Sequence, residues 1–185
     1  MELPKLNFQE TFDFKFKKDK DKFFIYDLVR KTYLLLTPEE WVRQHWIHYY
    51  LTIKSYSVSA LITEKKIVLN GLTKRVDLLV TEKTQPKILV ECKAPQIKLT
   101  EKTFEQTARY NSIIGAKEII LTNGLQHIHA FFENGEYQFY RPDWVLRLRK
   151  RLRLLFIMLG IFSNLDYFLL ILEWKWKYDG GFYSP

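Results

Sequence analysis

Two short stretches decide the fold: Arg75-Val76-Asp77-Leu78-Leu79-Val80, and then Ile88-Leu89-Val90-Glu91-Cys92-Lys93. Each is an apolar run of strand length that carries an acidic residue, where a buried strand would otherwise continue with apolar side chains. Because side chains alternate along a strand, Glu91 and Lys93 share one face of the sheet. The two stretches therefore predict neighbouring strands that present charged groups at their ends.

The register of these strands follows from the polar segment between them. If the turn centres on Thr84, Leu79 faces Leu89 and Asp77 faces Glu91. Both carboxylates then lie on adjacent strands, close to the lysine that follows Glu91. The sequence predicts that these two acids and Lys93 converge on one patch of sheet.

Two carboxylates and a lysine suit metal-assisted phosphodiester hydrolysis. Asp77 and Glu91 offer the oxygen ligands that Mg²⁺ prefers, and Mn²⁺ is a possible substitute. Lys93 could orient an attacking hydroxide and offset charge on a phosphate. The alternative is that the three residues are only salt-bridge partners at the strand ends, since an acid-x-Lys triplet by itself is a weak signal.

The rest of the first 144 residues predicts a mixed α/β domain. Thr37-Pro38-Glu39-Glu40 is a typical helix start, and the helix should run over 38–51. A second helix is expected over 100–114, ended by Gly115. Asn70-Gly71 predicts a tight hairpin turn. Further strands are expected at 23–26, 32–36, 65–69, 73–80, 87–93, 118–121, 126–132 and 137–140.

Several stretches, taken together, resemble a known family. Asp77 with Glu91-Cys92-Lys93 resembles the PD-(D/E)XK nuclease motif, and the wider context resembles the N-terminal nuclease domain of type I restriction enzyme R subunits. The supporting stretches are Leu36-Thr37-Pro38-Glu39-Glu40-Trp41-Val42-Arg43-Gln44, Arg75-Val76-Asp77, Val90-Glu91-Cys92-Lys93-Ala94-Pro95, Gln106-Thr107-Ala108-Arg109-Tyr110 and Thr122-Asn123-Gly124. The resemblance covers most of residues 1–142, although Val76 stands where that family often has a proline.

This resemblance implies a restriction-endonuclease-like fold, a mixed central sheet flanked by helices, and Mg²⁺-dependent cleavage of DNA. It implies that Asp77 and Glu91 ligate the metal and that Lys93 positions the hydroxide. Glu40 would be a further catalytic acid and metal ligand, and Gln106 a further catalytic residue.

The resemblance also implies contacts to the DNA backbone, from Tyr110, Arg43, Arg75 and Arg109. Arg43 could instead pair with Glu40, one turn before it. Simpler roles stand beside these: Glu40 suits a capping box, Gln106 an exposed amide, Tyr110 a half-buried aromatic, and Arg43 and Arg75 ordinary surface positions. The pairs His45/His48 and His127/His129 are expected to be structural rather than metal ligands.

The formal net charge of +8 favours a polyanionic partner, DNA first and an anionic membrane second. Half of that surplus lies in residues 145–185, with seven basic and three acidic residues. A single cysteine excludes an internal disulfide framework, and the N-terminus lacks a signal-peptide pattern, so we expect a cytoplasmic protein. Without a Gly-x-x-x-x-Gly-Lys-Ser/Thr loop, the chain carries no ATP-driven motor of its own, and nothing predicts a small-molecule cofactor.

Two units are expected: a nuclease domain over 1–144 and a basic, then apolar, helical extension over 145–185. The extension could pack on the domain or on a second copy, associate with a membrane, or be an unselected tail from a shifted reading frame. Ser163, Asn164 and Asp166 disfavour a true membrane span. Besides the nuclease, two functions stay open: a catalytically silent nucleic-acid-binding module, and a membrane-associated accessory protein. Restriction-system partners or self-association are possible.

Overall fold

The structure, a computed structural model, describes residues 3–139. The predicted extension over 145–185 lies outside these residues. The described part contains nine strands and two α-helices. The strands are β1 Phe16–Asp19, β2 Lys22–Asp27, β3 Thr32–Leu35, β4 Leu61–Leu69, β5 Leu72–Glu82, β6 Gln85–Cys92, β7 Glu118–Thr122, β8 His127–Glu133 and β9 Glu136–Phe139; the helices are α1 Pro38–His48 and α2 Glu101–Ile114.

The strands form two sheets. A six-stranded sheet runs in the order β4-β5-β6-β7-β8-β9, and within it only β6 and β7 pair in parallel, with α2 as the connection between them. The predicted mixed α/β architecture is thereby confirmed. The strands expected at 23–26 and 32–36 are present, but they do not enter this sheet. Together with β1, which was not predicted, they form a separate antiparallel sheet in the order β1-β2-β3.

Both helices begin and end as the local sequence predicts, apart from the last turn of α1. The Thr37 side chain accepts a hydrogen bond from the Glu40 backbone at 3.0 Å, which satisfies one free N–H of the first turn. The α-helical part ends at His48 and continues as a π-helical turn, Tyr49–Ile53. Helix α2 ends at Gly115, whose φ of 73° places it in the left-handed region that favours glycine.

The two predicted hairpins are present. Asn70 and Gly71 have positive φ angles of 51° and 76°, as a tight two-residue turn between β4 and β5 requires. In the second hairpin Leu79 pairs with Leu89, so the predicted register is confirmed on the side of the site. A one-residue shift follows between Val80 and Thr81, before the turn.

The sheet buries apolar side chains on both faces, which is why its strands lack a clean polar alternation. One core cluster joins α1 to the sheet through residues such as Val42, Ile47 and Val90. The other includes Leu89 and Tyr110 of α2. Within residues 3–139, neither helix is long and apolar enough to cross a membrane.

Candidate active site

Asp77 lies at an interruption in the pairing of β4 with β5. The ladder pairs Thr63 with Leu78 and Lys65 with Val76, and it omits Glu64, which has a φ of 50°. On its other side, Asp77 is tied to β6, because the Cys92 backbone N–H donates to Asp77 Oδ2 at 2.7 Å. The hydrogen bond fixes the carboxylate against the end of the neighbouring strand.

Glu91 and Lys93 point the same way from the end of β6, as the alternation predicts. Lys93 Nζ donates to Glu91 Oε1 at 2.7 Å, and the Glu91 residue is only 5% exposed. The second oxygen, Glu91 Oε2, is buried and has no hydrogen-bond donor within residues 3–139. A buried carboxylate oxygen without a donor is costly, so this atom is suited to bind a cation.

The pKa values of both acids are raised, as expected for carboxylates that would be neutralised by a cation. Burial, with the nearby charge of Glu91, raises the pKa of Asp77 to about 7, although the hydrogen bond from Cys92 opposes the shift. Burial also raises the pKa of Glu91, against the opposing charge of Lys93. In the absence of a cation, the two carboxylates therefore resist simultaneous ionisation.

Lys93 is held in its charged form. Burial lowers the pKa of its ammonium group, but the charges of Glu91 and Asp77 outweigh this effect and raise the pKa above its ordinary value. Its backbone N–H donates to the Thr122 carbonyl at 2.7 Å, which holds the residue beside β7. Lys93 is therefore a fixed cation rather than a proton acceptor.

These residues fit a hard divalent cation such as Mg²⁺. Among residues 3–139, no group of three or more His, Cys, Asp or Glu side chains is close enough to enclose a metal ion. Two carboxylates suffice for Mg²⁺, because it usually keeps several waters and is completed by substrate phosphates. Asp77 and Glu91 supply those two carboxylates, and the orphaned Glu91 Oε2 is the atom that most needs the charge.

Glu40, predicted as a third acid of the site, is engaged elsewhere. Its carboxylate pairs with Arg43 and accepts from Gln44 Nε2 at 2.9 Å. The acid from α1 whose charge raises the pKa of Asp77 and Glu91 is Glu39, its exposed neighbour. Sequence reasoning missed Glu39, and the only available signal was its place in the same acidic first turn. The metal-ligand role of Glu40 stays a prediction.

Arg43 lies at the buried end of an ion-pair cluster. Its guanidinium binds Glu40 and also Glu64, at 3.1 Å, with its side chain only 5% exposed. Glu64 is approached as well by Arg30 at 3.2 Å and by Arg75 at 3.7 Å. The predicted pairing of Arg43 with Glu40 is confirmed, and the alternative, a contact between Arg43 and the DNA backbone, stays a prediction. Glu64 was missed, since its left-handed backbone and its distance in sequence leave no local signal.

The residues predicted on α2 lie together but are unequally accessible. Gln106 Nε2 donates to Tyr110 Oη at 2.6 Å, so the two share a helix face as their spacing requires. The Tyr110 ring is buried at 6% exposure, which leaves its ring unavailable for stacking. Gln106 and Arg109 are exposed, and their roles toward DNA stay predictions.

The turn after β7 supports the segment that carries Lys93. Asn123 Nδ2 donates to the Ile97 carbonyl at 2.9 Å, and its Oδ1 accepts from the backbone of Leu125 and Gln126. The N-terminal residues hold this turn from outside, because the Asn7 N–H donates to the Gly124 carbonyl at 2.7 Å. These contacts join the N-terminus to the site through the β7–β8 turn.

The four histidines make structural contacts. His45 and His48 each use Nδ1 to contact a backbone carbonyl one turn earlier in α1. His127 contacts Thr122 Oγ1 and the Asn7 carbonyl, and His129 contacts Glu118.

Fold and site together define a mixed-sheet α/β domain with a half-buried Asp77 within β5 and with a buried Glu91 and a fixed Lys93 at the end of β6. The model of the family described as type I restriction enzyme R protein N terminus matches residues 38–141. Since this match spans more than half of the 185 residues, the chain belongs to that family.

Among solved structures, one described as a fragment of an HsdR subunit of a type I restriction enzyme from Vibrio vulnificus YJ016 is similar, at 21% identity and a TM-score of 0.35. The similarity covers 47% of this chain and 20% of the solved one, so this chain spans about a fifth of the length of that structure. No curated protein matches.

Proposed function

We propose that this chain is a metal-dependent DNA endonuclease domain of the PD-(D/E)XK class that acts in a restriction system. One observation carries the proposal: Glu91 is buried beside Asp77, accepts a hydrogen bond from Lys93 with one oxygen and leaves the other oxygen without a donor among the described residues. A surface salt bridge would not need this burial, since exposed ion pairs form without it. Membership in the type I restriction enzyme R protein family supports the restriction context.

In this proposal each residue has a separate task. Asp77 and Glu91 hold Mg²⁺, which would supply Lewis-acid activation of water and offset phosphate charge. Asp77 is oriented by the Cys92 N–H, which donates to its Oδ2. Lys93, held as a cation by its neighbours, stabilises the negative charge that develops on the phosphate and orients the attacking hydroxide.

The substrate assignment follows from charge and from the family. DNA is a polyanion, and the exposed basic residues include Arg75 on β5, the strand that carries Asp77, and Arg109 on α2. The charge of Glu39, from α1, acts on both acids. We expect backbone recognition with little dependence on base sequence.

Plasmid cleavage tests the proposal. Supercoiled DNA is incubated with the full chain and Mg²⁺, and Asp77→Asn is compared with Glu82→Gln, a change at the far end of the same strand. Wild type and Glu82→Gln should nick or linearise the plasmid, and Asp77→Asn should do neither. Equal activity in all three proteins would refute the site assignment. If none of them cleaves while wild type still binds DNA, the alternative of a silent binding module is correct.

A further inference from the structure

The hairpin of β4 and β5 extends past the rest of its sheet. β6 pairs with β5 between Leu78 and Glu82, so residues 72–76 are hydrogen-bonded to β4 alone. β4 is the edge strand of the sheet. Residues 65–76, here called the ribbon, thus form a two-stranded projection that starts beside Asp77. A two-stranded β-ribbon is narrow enough to enter the major groove of B-DNA, which is about 12 Å wide.

One face of the ribbon is fixed to the domain and its end is exposed. Ile67 and Val76 are buried against a cluster that contains Tyr110 of α2, which makes the projection rigid at its base. At the tip, Val68 is 65% exposed and Leu72 is 60% exposed. These are the two most exposed large apolar side chains among residues 3–139, and they flank the Asn70-Gly71 turn.

The charge of the ribbon is unfavourable for a surface that contacts only water. It contains Lys65, Lys66, Lys74 and Arg75 and no acidic residue. Lys66 pairs directly with Arg75 across the two strands, and like charges at opposed positions destabilise a sheet. Glu64, the acid that precedes the ribbon, lies 3.7 Å from Arg75 but is shared with Arg43 and Arg30.

A second basic hairpin in the chain shows the usual arrangement. β1 and β2 also carry several lysines, but Asp19 faces Lys22 across the strands, so opposite charges are paired there. Both hairpins are exposed and both are basic. Only the ribbon places two cations opposite each other, and only the ribbon adjoins the acid pair.

We infer that the ribbon is the element that docks duplex DNA beside the acid pair, with Lys66 and Arg75 on backbone phosphates and the Val68/Leu72 tip in a groove. The inference rests on the proposed function, and it names the surface that would hold the DNA. Bound phosphates would relieve the repulsion between Lys66 and Arg75, because each guanidinium or ammonium group gains a charge-assisted hydrogen bond.

The test is equilibrium binding of the full chain to a fluorescent duplex oligonucleotide in EDTA, where metal-dependent cleavage is absent. The double variant Lys66→Ala/Arg75→Ala is compared with the matched pair Lys17→Ala/Lys22→Ala from the other hairpin, and melting curves verify that each is folded. All proteins keep the basic residues 147–153, so any binding by those residues is common to all.

The ribbon double variant should lose roughly tenfold or more in affinity at 0.1 M salt, and its log–log salt slope should be shallower by about 1.8. The matched pair should keep the wild-type salt slope. Val68→Ser/Leu72→Ser should weaken binding but leave the salt slope unchanged. Equal losses of affinity in the two double variants, Lys66→Ala/Arg75→Ala and Lys17→Ala/Lys22→Ala, would overturn the inference. So would an unchanged affinity in the ribbon variant. So would a ribbon variant that binds normally but self-associates, since its cations would then only protect an edge strand.

These results separate the inference from the proposed function. Ribbon-dependent binding by a chain that cuts no plasmid in Mg²⁺ would reject the nuclease and keep the docking surface. Cleavage by a chain whose DNA affinity does not depend on the ribbon would reject the docking surface and keep the nuclease. A wild-type chain without affinity for the duplex would reject both.

Discussion

Lys93 Nζ lies 2.7 Å from Glu91 Oε1, and the other oxygen of Glu91 has no hydrogen-bond donor among the described residues. The pair is thus incomplete in a way that an ordinary salt bridge is not. Glu82 and Lys87 provide the contrast. They also form a 2.7 Å ion pair, at the far end of β5 and the start of β6, but both of their side chains are partly exposed. The difference lies in burial and in the presence of Asp77.

Asp77→Asn should stabilise the metal-free protein at high pH. The folded pKa of Asp77, about 7, exceeds the ordinary value of about 3.9. At a pH below the ordinary value, Asp77 is protonated in both the folded and the unfolded wild type, so it costs no stability. As the pH rises toward 7, Asp77 ionises first in the unfolded chain, and the free energy of unfolding falls. We expect the variant to gain about 2–4 kcal/mol in free energy of unfolding at pH 8.

Urea unfolding in EDTA at pH 4 and pH 8 measures this gain. The difference between Asp77→Asn and wild type should nearly vanish at pH 4. A difference that stays constant with pH would mean that burial and the charge of Glu91 do not act on Asp77 as the structure indicates.

The two acids at the start of α1 should behave differently toward Mg²⁺. Glu39 acts on the acid pair, so Glu39→Gln should weaken the rise in melting temperature that Mg²⁺ gives the wild type. Glu40→Gln leaves the buried Arg43 without its closest partner, so it should lower the melting temperature itself, with a loss of about 3 kcal/mol.

Thermal melts with and without Mg²⁺ distinguish the two. If Glu40→Gln abolished the Mg²⁺ effect while Glu39→Gln preserved it, the original prediction of Glu40 as a metal ligand would be correct.

Gly124→Ala should destabilise the fold through the N-terminal residues. Gly124 has a φ of 81°, and an added Cβ would lie 2.8 Å from Leu6 Cδ2 and 3.0 Å from Val42 Cγ2. The backbone cost and the clash together should reach about 2–3 kcal/mol. Gly135→Ala is the matched control, because Gly135 has a φ of 86° and its Cβ would meet no atom within 4 Å.

Chemical denaturation of both glycine variants isolates the clash. Leu6→Ala should cost less stability in Gly124→Ala than in wild type, because the smaller side chain removes part of the clash. Equal destabilisation of the two glycine variants would show that the contact between Leu6 and the β7–β8 turn contributes nothing.

Much of the site could be predicted because its information is local. The pairing of Leu79 with Leu89 follows from the turn length, and the shared face of Glu91 and Lys93 follows from strand alternation. The start of α1 at Thr37 and the end of α2 at Gly115 are likewise properties of a few adjacent residues.

The rest depends on contacts between residues distant in sequence. β1 was missed because Phe16-Lys17-Lys18-Asp19 is exposed throughout and has no apolar face. Glu39 and Glu40 lie side by side in the first turn of α1, and the ion pair that engages Glu40 depends on Arg43, which also binds the distant Glu64. The left-handed backbone at Glu64, which interrupts β4 beside Asp77, has no local sequence signature.

The most direct test of the central claim compares two lysines near the two ends of β6. Plasmid cleavage in Mg²⁺ is measured for wild type, Lys93→Met and Lys87→Met, each verified as folded by its melting curve. Because both lysines form 2.7 Å ion pairs, the variants remove the same charge and the same kind of contact. We expect wild-type cleavage by Lys87→Met and cleavage slower by about 100-fold or more by Lys93→Met. Equal rates in the two variants would contradict the central claim.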